Sequence, residues 1–204
     1  MKKEPDENQT YFYRAAHILS RVFDIYVTFT LIILITTFRA KGNLAEIFLW
    51  GGVFLILLVI APTLTDLYFV SKKTFTDWDI SDRKQRIKFV EMGAFLLIGL
   101  TLASYLFHAP RLFTATALIL AIDQIIHAQV TRYWKISFHA QMITLFCVYA
   151  AVFLGGNFWL FLLFIPLICI SRVYLKKHTP AQVIWGTIVA LLVSFGVLYI
   201  FQYF

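Results

Sequence analysis

The sequence predicts an all-α protein, a polytopic transmembrane helical bundle of six to seven spans. Three observations predict it. Apolar and aromatic residue types make up 60% of the 204 residues and charged ones only 14%, whereas soluble domains run nearer half apolar and a quarter charged. Seven apolar runs recur, at about 22–38, 47–70, 88–107, 111–128, 138–154, 157–170 and 183–203, most of them close to the ~20 residues that a helical crossing needs. The connections are short and polar, as in RAKGNLAE and HAPR.

Taken in chain order, the polar opening MKKEPDENQT leads us to expect a disordered tail over 1–12. No short apolar run followed by a small-residue cleavage site is visible, so a cleavable signal peptide is not expected. No repeat or low-complexity linker interrupts the chain, and 1–204 reads as a single integral membrane domain. Cys147 and Cys169 both lie in apolar runs, without disulfide or metal spacing, and read as small buried hydrophobes. The net charge of +7 sits in loops between spans. It points to anionic lipid surfaces or a phosphate-bearing ligand, not to nucleic acid.

Alternating crossings place segments 71–87, 129–139 and 171–182 on one membrane face. Of the 18 Lys and Arg residues, all but Arg39, Lys41 and Arg111 fall on that face. Basic loops favour the cytoplasm, so a cytoplasmic face of a cell membrane is the expectation. Lys72, Lys73, Lys88, Lys176 and Lys177 read as headgroup anchors, and His17, His108, Arg21 and Asp24 as interfacial residues.

The segment SRVYLKKHTPAQ, residues 171–182, follows a run of only about 14 residues. At about 1.5 Å per residue that run reaches about 21 Å, short of the ~30 Å hydrocarbon core. Its helix therefore continues through Ser171 and Arg172, and an Arg at that depth needs a polar cavity or an anion. Thr179, Pro180 and Gln182 form a capping-box start for the next helix, with His178 beside its N–H groups. Ser137 can cap the helix that holds His139, with Arg132 and Lys135 adding charge. Ser81 can cap the third span, where Arg83 and Arg86 share a face. Three helix starts, several cations and two histidines describe a phosphate site, although position alone leaves catalytic and interfacial roles open for His139 and His178. Asp66, Asp123 and His127 are ionisable residues within spans and so functional candidates. Asp123 and His127, four apart, read as a structural interhelix hydrogen-bonding pair.

These loops resemble the type-2 phosphatidic acid phosphatase superfamily, the membrane relatives of bacterial acid phosphatases and vanadium haloperoxidases. Its motifs are K-x6-R-P, P-S-G-H and S-R-x5-H-x3-D. The third is matched by Ser171, Arg172 and His178, with Gln182 in place of Asp; the second by Ser137 and His139 in ISFH; the first by Arg86 in DISDRKQRI. The wording DRKQR, KIS-x-HA and HTxxQV also resembles a small prokaryotic branch of that superfamily that carries this Gln. The resemblance covers about residues 79–186. It implies a metal-independent lipid phosphatase without a cofactor, acting on a phosphomonoester or diphosphate of phosphatidate or polyprenyl type. By that resemblance His178 is the nucleophile that forms a phosphohistidine and His139 the general acid. Arg86, Arg172, Ser137 and Ser171 bind the phosphoryl group, Arg83 or Lys84 replaces the charge of the family Lys, and Gln182 orients His178.

Departures from the family pattern are Asp79 for Lys, Ile87 and Ile136 for the two Pro, Phe138 for Gly and Gln182 for Asp. Two other functions compete. Gln182 and Phe138 suit a non-catalytic lipid-binding or transport protein that keeps the fold. Asp77, Asp79 and Asp82, within the 77–82 acidic cluster, suit a metal-dependent lipid transferase. The expected partners are a lipid phosphate and the bilayer; the oligomeric state is left open.

Overall fold

The computed structural model describes residues 7–72 and 83–203, with side chains at 11–72 and 86–203. All regular structure among them is helical. The elements are α1 (Glu7–Val22), α2 (Ile25–Arg39), α3 (Leu44–Leu55), α4 (Ala61–Ser71), α5 (Arg83–Leu106), α6 (Arg111–Tyr133), α7 (Phe138–Tyr149), α8 (Phe164–Tyr174) and α9 (Pro180–Ile200). Five continuous helical stretches are long and apolar enough to cross a membrane: Leu44–Ser71, Arg86–Leu106, Arg111–Tyr133, Gly156–Tyr174 and Pro180–Ile200. The α1–α2 pair, bent by 43°, supplies a sixth, and Phe138–Leu154 is a shorter apolar helix. The chain is an integral membrane protein; the described residues supply five or six candidate crossings, against the six to seven expected, because the apolar run at 138–154 forms a helix shorter than a full span.

Local chemistry explains the breaks. Asp24 ends the approach of α1 and caps α2, its carboxylate accepting from the Tyr26 N–H at 3.2 Å. Asn43 does the same for α3, accepting from Ala45. Between α3 and α4 the helix widens to a π-turn over Ile56–Ile60. Pro62 follows, and its ring crowds the carbonyl four residues back, a conflict that the wider turn relieves. After α7, a second π-turn (Ala150–Leu154) and a 3₁₀ helix (Gly156–Leu163) lead into α8. The span that the sequence made too short therefore runs on to Tyr174, carrying Ser171 and Arg172 as expected.

Of the tail expected to be disordered over 1–12, the residues before Glu7 lie outside the described residues, and residues 7–12 belong to α1, which is helical from Glu7. This segment packs on α8 and is tied there by its buried Ser20, whose hydroxyl accepts from Arg172 at 2.8 Å.

Helix α7 runs through the centre, with every residue from His139 to Tyr149 buried, against α2, α8 and α9. In lipid, close packing and interhelix hydrogen bonds hold such a bundle together. Tyr149 donates to the Thr116 hydroxyl at 3.0 Å, and Thr36 shares a 3.1 Å bond with the same oxygen. Asp123 and His127 do not pair directly, which corrects that expectation. Gln141 of α7 takes up His127 instead, through its amide oxygen, so the interhelix role stands with a different partner.

Candidate active site

The α8–α9 connection is built to fold back on itself. Lys176 adopts a left-handed conformation (φ 55°), and the N–H groups of Lys177 and His178 both donate to the Arg172 carbonyl, at 3.1 and 3.3 Å. His178 is thereby returned to the level of Arg172. Helix α9 then starts on the expected capping box, with the Thr179 hydroxyl accepting from the Gln182 N–H and the Gln182 side chain accepting from the Thr179 N–H. The same Gln182 Oε1 takes the Thr179 N–H at 3.1 Å and His178 Nδ1 at 3.2 Å. One oxygen caps the helix and fixes the ring, so Nδ1 carries the proton and Nε2 holds the free lone pair.

The second loop is stitched to the third. Ser137 caps α7, accepting from the Ala140 N–H at 3.3 Å, and its own N–H donates to the Gln182 carbonyl at 3.2 Å. Lys135 Nζ donates to the Lys177 carbonyl at 3.0 Å. Gly186 permits the approach: a Cβ there would meet the Ser137 carbonyl oxygen at 2.7 Å.

A cavity of about 370 Å³ results, with Arg86, His139, Arg172 and His178 in its wall. Asp24 joins them, its Oδ2 lying 4.0 Å from His139 Nε2. That is ion-pair range but beyond a hydrogen bond, so the carboxylate faces the ring. Away from this polar end the wall is mainly apolar, formed by residues such as Ile25, Phe29, Leu57, Val90, Leu97 and Phe138. The Phe138 ring packs on His127 at 4.9 Å and on Phe29 at 6.3 Å, so its bulk lines the apolar wall.

His178 is held well below the ordinary imidazole range, at about 2. Burial is the largest cause, followed by the charges of Lys135, Arg172 and Arg86, against a smaller opposing effect of the Gln182 hydrogen bond. The ring is therefore neutral at neutral pH. A buried neutral imidazole with a free Nε2, beside two guanidinium groups, can attack an electrophilic centre that carries negative charge.

Other expected site residues lie elsewhere. Ser137 is buried in its capping role, and the Ser171 hydroxyl donates to the Ile168 carbonyl of its own helix at 2.7 Å; neither lines the cavity. Arg132 is taken up by Glu91 on α5, at 2.7 Å. The side chains of Arg83 and Lys84, the cap Ser81 and the acidic cluster 77–82 fall outside the described residues and side chains. The sequence reading undervalued Asp24, Tyr26 and Gln124, all of which line the cavity. Asp24 carried a signal, a carboxylate at the mouth of an apolar run, but nothing local pointed to its distant partner His139.

A family model described as the PAP2 superfamily matches residues 93–204, which takes in α6–α9 and hence His139, Arg172, His178 and Gln182. No curated protein and no solved structure matches the chain. The match covers more than half of the sequence, and this chain belongs to the PAP2 superfamily, which implies phosphatase-type activity on phosphate esters.

Proposed function

We propose that the chain is a metal-independent lipid phosphatase that works through a phosphohistidine. His178 Nε2 attacks phosphorus, forming an N–P bond as the ester P–O bond breaks. The leaving oxygen takes its proton from His139. His139 then accepts a proton from water as that water attacks the phosphohistidine, releasing inorganic phosphate and restoring both rings. Arg86 and Arg172 bind the equatorial oxygens and neutralise developing charge, which is most of what phosphoryl transfer asks of a protein. Gln182 holds the tautomer.

The observation that carries this reading is His178 itself, neutral, with Nδ1 engaged by Gln182 and two guanidinium groups in the same cavity wall. The long apolar wall of that cavity supports an amphiphilic substrate, its tail in lipid and its headgroup at the cations. The excess of Lys and Arg in the loops around the site supports a cytoplasmic active face.

The test is phosphate release by detergent-purified protein from phosphatidate, phosphatidylglycerophosphate and a polyprenyl diphosphate, in the presence of chelator. Release that survives chelator and is lost in both His178→Ala and His139→Ala is the expected result. Release that persists undiminished in His178→Ala overturns the phosphohistidine. Absence of release from every lipid overturns the phosphatase reading in favour of binding or transport. Sidedness is read by labelling Lys176→Cys with a membrane-impermeant thiol reagent in sealed vesicles of known orientation; labelling from the outer face refutes the cytoplasmic assignment.

A further inference from the structure

The cavity contains a second polar group of atoms that the phosphate chemistry does not use. Asp66 of α4 is only 4% exposed, and Gln124 of α6 only 7%. Both line the cavity. Asp66 Oδ2 accepts from the Tyr26 hydroxyl across the α2–α4 boundary. Asp66 Oδ1 has no hydrogen-bond partner, and neither has Gln124 Oε1. Gln124 is held in place from the other side, its Nε2 donating to the Val90 carbonyl at 3.0 Å. Gly93 makes room for this: a Cβ there would meet Gln124 Nε2 at 2.9 Å. Two unpartnered buried oxygens in an otherwise apolar wall carry a large desolvation cost. Gln124 Oε1 can only accept, and Asp66 Oδ1 accepts as a carboxylate or donates as a carboxylic acid, so the group that satisfies the pair must donate at least once; a hydroxyl donates once and accepts as well.

Position relates these atoms to the catalytic end. Tyr26 lies in the first turn of α2, its N–H bonded to Asp24, whose carboxylate faces His139. On α5 the cavity wall runs from Arg86 through Val90 to Gly93. Four and seven residues at the helical rise put Gln124 about 6–10 Å below Arg86. A headgroup bound at Arg86 and Arg172 would therefore bring its next few bonded atoms to the level of Gln124, and Asp66 lines the same cavity.

We infer that Asp66, Tyr26 and Gln124 form a subsite for a hydroxyl group of the lipid, a few bonds from its phosphate. It rests on the lipid-phosphatase reading and narrows the substrate class to lipid phosphates bearing a free hydroxyl. A hydroxyl suits the site better than an ammonium group. One of the two acceptors is a neutral amide, Asp66 is already shared with Tyr26, and two guanidinium cations stand at the same cavity. A site built to hydrogen-bond a substrate hydroxyl discriminates strongly against the analogue that lacks it, because its own buried groups are then left unpaired.

The experiment compares 1-acyl-glycerol-3-phosphate with the acyl-propanediol phosphate of the same chain, which differs by one hydroxyl. Binding is measured in nanodiscs with the His178→Ala chain, which removes turnover, and phosphate release is measured with wild type. The expected result is at least tenfold tighter binding of the hydroxyl lipid. Adding Asp66→Ala should abolish that preference by weakening the hydroxyl lipid alone, leaving the deoxy lipid within about twofold. Gln124→Met, of similar volume, should do the same to a smaller extent and serves if Asp66→Ala fails to fold. Equal binding of the two lipids overturns the subsite, as does equal weakening of both by either variant. Preferential binding without phosphate release from either lipid leaves the subsite standing and refutes the phosphatase.

Discussion

Replacing Gln182 with Glu tests how the amide works at this site. Glu keeps the length of Gln, so its carboxylate can accept from His178 Nδ1 and the Thr179 N–H as Oε1 now does, at 3.2 and 3.1 Å. What changes is charge. In the proposed phosphohistidine step, His178 becomes cationic when its Nε2 bonds to phosphorus. A full negative charge about 5 Å from the ring centre, at an effective dielectric of about 20, is worth about 3 kcal/mol to a fully charged ring. Only part of that charge has developed at the transition state, so about 1–2 kcal/mol is expected there, a five- to thirtyfold rise in kcat. The same carboxylate draws His178 upward from the depressed value set by burial and by Lys135, Arg172 and Arg86. Wild type should hold its kcat/KM as pH falls from 7 to 5, because His178 stays neutral throughout. Gln182→Glu should lose activity over that window as the ring takes a proton. Steady-state phosphate release across pH measures both effects. An unchanged kcat together with an unmoved acid limb would refute the assigned contact between Gln182 and His178.

Asp24→Asn removes the negative charge facing His139 and, on the proposed mechanism, should lower kcat more than tenfold; steady-state phosphate release checks it. Arg172→Lys keeps the charge but loses the planar fork and the bond to Ser20, so a hundredfold fall in kcat/KM is expected in the same assay, against less than fivefold for Ser20→Ala. Gly186→Ala drives a methyl group into the Ser137 carbonyl. Overpacking of this kind costs about 1–3 kcal/mol, read as a lower unfolding temperature accompanied by lost activity, because the second and third loops separate together.

The fold was legible because lipid imposes a simple rule: apolar runs of sufficient length become helices. The start of α9 was legible down to the atom, since Thr179, Pro180 and Gln182 form their capping box entirely within one turn. Helix α1 was missed because charge and polarity in its first residues read as solvated tail, while its hold on the protein comes from Ser20 meeting Arg172, 152 positions away. The site divides the same way. His178 and Arg172 share one loop and could be read together. The approach of Asp24 to His139 and of Tyr26 to Asp66 depends on how α2 lies against α7 and α4, which periodicity does not encode. Arg132 shows the opposite error: as a loop cation it seemed available to phosphate, but Glu91 lay on the neighbouring helix face.

An amide at position 182 also has a physical advantage that a carboxylate lacks. Arg86 and Arg172 stand in the cavity wall with His178, and Lys135 is near enough to depress its titration. A carboxylate in that position would hold the imidazolium more firmly, but it would also attract the same cations and compete with the phosphoryl group for them. Gln182 accepts the Nδ1 proton without entering that competition. On the proposed mechanism, the arrangement favours binding of a highly charged headgroup over stabilisation of the charged ring. Gln182→Glu should therefore raise KM as well as kcat, and a rise in kcat with KM unchanged would show that the cations are not shared between residue 182 and the phosphate.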